Sequence, residues 1–170
     1  MSLSIYIRPI DIPDALKVME WENNPDNWDA SDNKSEYALY DIVRLIEELR
    51  NIELAKQARW IICEASDEEL IGTVDLFEID FEKKEASVGV LVADKLNRRK
   101  GIASQALNLI EQEALNLGLT RLTCIIHPHN QGSICLFEKQ GFGKIGITDD
   151  KFLNEGVYLE ALIYEKWLKK

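Results

Sequence analysis

The sequence predicts one α/β domain (α+β in some schemes): a mixed, mostly antiparallel sheet of six or seven strands with helices on both faces. Three observations predict it: three β-type segments between residues 60 and 92, a strand–helix–strand unit over residues 86–126, and a closing pair of strands within residues 142–166. The chain has 170 residues, a length typical of one domain with its own core. Because no repeat or flexible linker divides it, residues 1–170 are predicted to form a single domain.

The N-terminal third is predicted to hold one strand and two helical regions. The strand is expected over residues 5–9, and Asp11 and Pro13 supply the N-cap and first-turn residues of a helix. A polar loop over residues 24–34 precedes a second helical region at residues 36–55. The apolar spacing predicts that these helices bury Ile12, Leu16 and Met19, and then Leu39, Ile42, Val43, Ile46 and Leu49.

Three consecutive strands form the predicted meander, over residues 60–65, 70–80 and 86–92. The third strand leads into a helix that begins near Gly101, and an apolar strand follows at residues 122–126. A strand, a crossover helix and a second strand imply parallel pairing, so the sheet is expected to be mixed. The buried face of this helix is predicted to comprise Ala103, Leu107, Ile110, Ala114 and Leu117, with Gly118 ending the helix.

A short helix and two antiparallel strands are predicted to complete the fold. The helix covers residues 133–140 and ends at Gly141, and the strands cover residues 142–147 and 157–166. The strand at residues 122–126 is apolar on both faces, which predicts a central place in the sheet.

The charge balance excludes some partners. Acidic residues outnumber basic ones by 30 to 20, a formal net charge of −10, which repels nucleic acid and attracts cationic ligands. We therefore expect no nucleic-acid partner. No apolar run of about 18 residues is present, so no membrane partner is expected. The N-terminus lacks the features of a signal peptide, which predicts a cytoplasmic location.

The cysteines and histidines form no metal-binding pattern. Cys63, Cys124 and Cys135 are odd in number and contain no C-x-x-C pair, so we expect buried thiols in a reduced protein. His127 and His129 lie two positions apart with no third ligand beside them. The sequence predicts no metal.

A basic loop with a glycine joins the meander to its following helix. Its residues are Arg98, Arg99, Lys100, Gly101, Ile102 and Ala103. The first N–H groups of a helix lack intrahelical partners and lie at the positive end of its dipole, so they bind anions. Gly101 lets phosphate oxygens approach the backbone, and the basic side chains are within reach. The spacing matches neither a triphosphatase P-loop nor a G-x-G-x-x-G dinucleotide motif.

Two motifs resemble signatures of the GNAT N-acetyltransferase family. The first is Arg98-x-x-Gly101-x-Ala103, which is similar to [QR]-x-x-G-x-[GA]. The second is Asn130-x-x-Ser133-x-x-Leu136-Phe137-Glu138-Lys139-x-Gly141-Phe142, which is similar to N-x-x-S-x-x-L-Y-E-K-x-G-F. They occur in the family's order, and the resemblance spans nearly the whole chain. The segment from Phe152 to Tyr158 is similar to F-x-N-G-x-Y of the polyamine and ribosomal-protein branches.

The resemblance implies that acetyl-CoA is the co-substrate and lies where two parallel strands part, here residues 86–92 and 122–126. Its pantetheine arm would pair with the backbone of Val90, Leu91 and Val92 like an added strand, and a backbone N–H there would polarise the thioester carbonyl. The pyrophosphate would bind the loop at residues 98–103, with no metal involved.

The second motif implies three further contacts. Asn130 would hydrogen-bond the pantetheine arm, and Ser133 would cap the short helix, with or without touching the cofactor. Phe137 would pack against the cofactor. Many family members have a tyrosine at this position that protonates the departing thiolate, and phenylalanine cannot do so. A thiol with a pKa of about 8.5 is a tolerable leaving group as its anion, so loss of the acid need not abolish activity. The alternative is that another group supplies the proton, and His127 and Tyr164 are candidates by elimination.

The acceptor amine has to lose a proton, because an alkylamine with a pKa of about 10.4 arrives protonated. The usual base is a carboxylate that acts through water. The candidates on the central strands are Asp75, Glu78 and Glu85. Glu22 and Glu36 are further candidates on the N-terminal segments that wall the acceptor side.

The expected activity is acetyl transfer to an amine, and the acidic charge and the C-terminal segment favour a polyamine or diamine. Two alternatives stay open: the N-terminal amine of a protein as acceptor, and an acetyl-CoA-binding module with weak catalysis, which Phe137 favours. A homodimer is also open, since dimers are common in the family.

Overall fold

The computed structural model describes the backbone of residues 3–30, 36–154 and 157–170, and the side chains of residues 3–28, 36–148 and 160–170. The strands within these ranges are Ile5–Pro9 (β1), Ala58–Glu64 (β2), Leu70–Asp80 (β3), Glu85–Val92 (β4), Arg121–Ile126 (β5), Gly143–Asn154 (β6) and Val157–Trp167 (β7). They form one sheet in the order β1-β2-β3-β4-β5-β7-β6. Only the β4–β5 pair is parallel among these neighbours, so the predicted mixed, mostly antiparallel sheet is confirmed.

Helices cover both faces of the sheet, as predicted. In the described ranges the α-helices are Ala15–Glu22 (α1), Leu39–Leu49 (α2), Ile52–Ala55 (α3), Ile102–Asn116 (α4) and Gln131–Lys139 (α5). One core packs α1 and α2 against the N-terminal half of the sheet, and it includes Val18, Trp21, Ile46 and Ile61. A larger core on the opposite face contains the buried side of α4.

The first helix begins differently from the prediction. Asp11 is the N-cap, as expected, but it starts a 3-10 turn, Ile12–Asp14, rather than α1 itself. A 3-10 turn has about 3.0 residues per turn instead of about 3.6, so it rotates the helix that follows. The prediction that Leu16 is buried is therefore wrong, since this side chain is 55% exposed. The helix buries Ala15, Val18 and Trp21 instead.

An ion pair holds this turn against β1. Both nitrogens at the tip of Arg8 donate to the Asp14 carboxylate, at 2.7 and 2.8 Å, and the backbone N–H of Asp11 donates to it at 2.8 Å. Burial by itself would raise the pKa of Asp14, but these hydrogen bonds hold it below its ordinary value.

The helical region predicted over residues 36–55 is interrupted. Asn51 accepts a hydrogen bond from the N–H of Leu54 at 3.2 Å and caps α3, so α2 ends one turn earlier than a continuous helix would. The predicted face is confirmed at Ile42 and Ile46, which are buried, and is wrong at Leu39, which is exposed.

The crossover from β4 through α4 to β5 is confirmed, including the parallel pairing. Gly118 ends α4 with a φ of +81°, as a C′ residue does. The buried residues of α4 are Ile102, Ala106, Leu107, Ile110 and Ala114, whereas Ala103 and Leu117 are only half-buried. The strand β5 has the predicted central place, but Ile125 is exposed, so β5 is not buried on both faces.

Two further predictions have different outcomes. Cys63 and Cys124 are buried, but Cys135 is exposed, so the expectation of three buried thiols is wrong for it. Burial raises the pKa of the Cys124 thiol to about 12.

The side chains of the segment from Phe152 to Tyr158 lie outside the described residues. No helix in the described ranges is long and apolar enough to span a membrane.

Candidate active site

The two central parallel strands part after a short contact. The rungs between β4 and β5 are Glu85–Arg121, Ala86–Leu122 and Ser87–Thr123, and the described pairing ends there. The hydroxyls of the last rung are 3.3 Å apart. Beyond it, β4 continues to pair with β3 as far as Val92, and β5 continues to pair with β7 as far as Ile126. The backbone edge of β4 that faces β5 is therefore open from residue 88 onward.

Charged side chains join β4 and β5 at the other end of their paired stretch. Arg121 donates to Glu85 on β4 and to Glu165 on β7, at 2.6 Å in both cases. Its guanidinium carbon lies 5.6 Å from the centroid of the Trp167 ring. Arg121 thus joins three strands two rungs before the gap begins, and Glu85, a predicted base candidate, is held in this ion pair.

The N-terminus of α4 lies at the loop that follows β4. Gly101 is its N-cap, with a φ of +77° and no side chain that could accept from the first N–H groups. The N–H of Gln105 bonds to the Gly101 carbonyl at 3.1 Å, so the helix ladder starts there. The backbone N–H groups of Ile102, Ala103 and Ser104 precede the ladder and are available to an anion. A Cβ added to Gly101 would meet no atom within 4 Å, so the approach is unobstructed.

The three basic side chains of the loop do not act alike. Arg99, with a φ of +62°, and Lys100 are exposed. Arg98 turns back instead, donating to the Val92 carbonyl at 3.0 Å and to the Asn27 side-chain oxygen at 2.8 Å. Arg98 therefore braces the loop, while Arg99 and Lys100 remain beside the helix N-terminus.

The helix α5 presents the second motif. Asn130 is its N-cap and accepts from the N–H of Ser133 at 3.1 Å, so the prediction that Ser133 is the cap is wrong. Phe137 is buried, and its ring packs edge-to-face on Phe142 with centroids 5.0 Å apart. The cofactor roles predicted for Asn130, Ser133 and Phe137 remain predictions.

Two of the predicted base candidates share one partner. Arg59 donates to both carboxylate oxygens of Asp75 at 2.9 Å and to Glu22 at 3.2 Å. All three side chains are largely buried. Burial would lower the pKa of Arg59, but the charges of Asp75 and Glu22 keep it above its ordinary value. The group carries a net charge of −1, and Asp75 lies in register with Gly89 of β4, beside the open edge.

The remaining candidates lie elsewhere. Glu78 accepts from the Ser87 hydroxyl at 3.1 Å at a β3–β4 irregularity, where its φ is +50°. Glu36 is exposed and lines an open cleft of about 420 Å³ with Tyr37, Asp41, Arg44, Leu45 and Glu48.

Tyr164, one candidate for the acid, is buried under α5. Its hydroxyl donates to the Glu138 carboxylate at 3.1 Å. Burial and this hydrogen bond raise its pKa. The rings of His127 and His129 meet edge-to-face with centroids 5.4 Å apart.

The sequence analysis missed Arg59, Arg121 and Asn27. A basic residue directly before the apolar strand predicted at residues 60–65 was a usable signal for Arg59, since the observed strand begins at Ala58 and a cation within it needs a carboxylate partner. The other two depend on contacts between distant segments, for which the sequence has no local pattern.

A mixed α/β sheet with one parallel crossover, whose strands part beside an uncapped helix N-terminus, defines the class of acyl-CoA N-acyltransferases. The family model described as an acetyltransferase (GNAT) domain matches residues 4–143, and the chain belongs to this family as an N-acetyltransferase. The predicted family is therefore confirmed.

Sequence similarity to known proteins extends over most of the chain. It is 30% identical to a probable N-acetyltransferase, YjcK, of Bacillus subtilis, which covers 91% of this chain and 89% of the relative. It is 24% identical to the spermidine N(1)-acetyltransferase of Escherichia coli K12, over 94% of this chain and 83% of the relative. The structure is similar in fold to spermidine N-acetyltransferase from Vibrio cholerae in complex with CoA and spermine, with a TM-score of 0.86, 19% identity, and coverage of 96% and 95%.

Proposed function

We propose that this enzyme transfers the acetyl group of acetyl-CoA to a primary amine of a small polyamine or diamine. The observation that carries the proposal is the parting of β4 and β5 after the Ser87–Thr123 rung, beside the uncapped N-terminus of α4. An open strand edge and a helix N-terminus together suit a ligand with an extended amide-containing arm and a pyrophosphate.

The open edge supports a role for Val90, Leu91 and Val92 in binding the pantetheine arm. Those of their N–H and C=O groups that point away from β3 would hydrogen-bond the amides of the arm, except the Val92 carbonyl, which accepts from Arg98, and a backbone N–H would stabilise the charge that develops on the thioester oxygen. The pyrophosphate would lie on the N–H groups at Ile102 and Ala103, with Arg99 and Lys100 alongside.

The acidic group around Arg59 supports a cationic acceptor. Its net negative charge lies beside Gly89, next to the strand edge where the thioester would be held. Each carboxylate oxygen can accept more than one hydrogen bond, so Asp75 can bind a water while Arg59 holds it. We therefore favour Asp75 as the base that takes the proton of the amine through water, with Glu78 as the alternative.

Departure of the thiolate requires no acid in this proposal. Phe137 is buried and has no hydroxyl, and the Tyr164 hydroxyl donates its proton in a hydrogen bond to Glu138. A thiol is a stronger acid than an alcohol, as the cysteine pKa of about 8.5 illustrates, so the coenzyme A thiol is an acceptable leaving group as its anion. Phe137 is also the observation that favours the second candidate function, an acetyl-CoA-binding protein with weak catalysis.

A turnover screen tests the proposal. Release of the coenzyme A thiol from acetyl-CoA is followed with spermidine, diamines, monoamines, amino acids and peptides as acceptors. We expect the highest kcat/KM with spermidine or a diamine, because a second positive charge gains from the acidic surroundings. A higher kcat/KM with peptides would mean that the acceptor is a peptide or protein amine and not a polyamine or diamine. Absence of turnover with every amine, together with acetyl-CoA binding, would favour the second candidate.

A further inference from the structure

A buried asparagine joins the segment after α1 to the loop that precedes α4. Asn27 lies in the 3-10 turn Pro25–Ala30, within the stretch that the sequence analysis expected to be a loop. Its side chain is only 2% exposed, although asparagine is mostly found at protein surfaces. Such burial requires that its polar atoms be hydrogen-bonded.

Each end of the Asn27 amide has a different partner. The nitrogen donates to the Trp21 carbonyl at 3.0 Å, which ties the turn to the last residues of α1. The oxygen accepts from the guanidinium of Arg98 at 2.8 Å, across 71 residues of sequence. The first bond belongs to the local fold, whereas the second reaches the loop of the proposed pyrophosphate site.

Arg98 also contacts β4, the strand whose edge is open at the gap. While one of its terminal nitrogens is held by Asn27, its Nε donates to the carbonyl of Val92, the last residue of β4. Arg98 lies three residues before Gly101, so the same side chain connects the end of the open edge, the loop and the helix N-terminus.

We infer that Asn27 is a positioning residue for acetyl-CoA, which it does not touch: through Arg98 it holds the end of β4 and the N-terminus of α4 in the arrangement that receives the cofactor. This inference rests on the proposed function. It predicts that loss of the Asn27 oxygen weakens acetyl-CoA binding while the chemical step is retained.

Two substitutions separate the two bonds of Asn27. Asn27→Ala removes both, and Asn27→Asp keeps an oxygen acceptor for Arg98 but loses the donor to Trp21. We expect the KM for acetyl-CoA to rise about tenfold in Asn27→Ala, the order expected when a hydrogen bond to a charged group is lost, with kcat within about twofold. Asn27→Asp should lower the Tm yet keep the KM near the wild-type value.

Asp26→Asn is the matched control. It removes the exposed Asp26–Lys95 ion pair at 3.1 Å, which joins the same two segments, and an exposed pair contributes little. We expect its KM for acetyl-CoA to be unchanged. If Asn27→Ala does not fold, Asn27→Leu, which is closer in volume, carries the same expectation.

The possible outcomes distinguish a failure of this inference from a failure of the proposed function. An unchanged KM in the folded Asn27→Ala variant, or equal rises in KM for Asn27→Ala and Asn27→Asp, would overturn the positioning role. A wild-type protein that fails to bind acetyl-CoA in direct titration would instead overturn the proposed function.

Discussion

At the scale of single residues, Phe137 bears on how the thiolate would leave in the proposed reaction. Its ring belongs to the larger core and contacts Phe142, so the position is built for packing. A family tyrosine there would place its hydroxyl where the thiolate leaves, and this chain has only carbon atoms at that point. In the proposed mechanism the thiolate therefore leaves without an acid at this position.

Phe137→Tyr tests that conclusion. We expect kcat to stay equal or to rise by up to about tenfold, because a phenol near the thiolate adds general-acid assistance. The measurement is steady-state thiol release with the best acceptor. Phe142→Tyr is the control, since its ring is buried to the same degree in the same pair but lies outside the tyrosine position of the motif. A large fall in kcat for Phe137→Tyr alone would show that this position has another role.

At the scale of elements, helix α4 has two exposed glycines with similar backbone conformations. Gly101 at its start has a φ of +77°, Gly118 after its end has a φ of +81°, and a Cβ on either would meet no atom within 4 Å. A glutamate at either position would cost about 1 kcal/mol of backbone strain. Only the one at Gly101 would place a side chain and a negative charge at the proposed pyrophosphate site.

This pair gives a matched thermal-shift experiment. Acetyl-CoA should raise the Tm of the wild type and of Gly118→Glu, because a ligand that binds only the folded state stabilises it. The shift should disappear in Gly101→Glu. If Gly101→Glu retains the full shift, the pyrophosphate does not lie at this helix N-terminus.

Some of these elements could be predicted from the sequence and others could not. Local patterns were sufficient for the bounds of β1 and β3, the crossover and the glycine ends of α4, since each depends on residues that are near in sequence. The face of α1 was missed because the preceding 3-10 turn rotates it. The Arg59–Asp75 pair depends on a register shift at Ile62/Cys63 in the β2–β3 hairpin, where Gly72 inside β3 was a usable signal of an irregularity but not of its register.

The candidate site also has one part that the sequence predicts and one part that it does not. Its glycine loop is a local feature of the chain, so the motif predicts it. Arg98 turns back to the distant Asn27 and to the Val92 carbonyl, and no periodicity relates Arg98 to a residue as far away in sequence as Asn27. The glycine loop of the proposed cofactor site was therefore predictable, and the hydrogen bonds that turn Arg98 back from it were not.

At the scale of the whole molecule, the sheet is covered unequally. The N-terminal half lies under α1 and α2, whereas the same face of β5 and β7 carries exposed apolar side chains, among them Ile125 and Trp167. The gap between β4 and β5 therefore lies between a covered and an uncovered half. The homodimer considered from the sequence remains a prediction.

The molecule as a whole also carries a net charge of −10, and this charge should affect acceptors according to their own charge. Because salt screens long-range attraction, with a Debye length of about 8 Å at 0.15 M, KM for a polyamine should rise with ionic strength. We expect KM for spermidine to increase more steeply than KM for a monoamine when sodium chloride is raised from about 0.02 M to about 0.3 M. Initial rates at saturating acetyl-CoA provide the measurement. Equal slopes for the two amines would mean that the acidic surface does not select the acceptor, and that specificity depends on short contacts within the site.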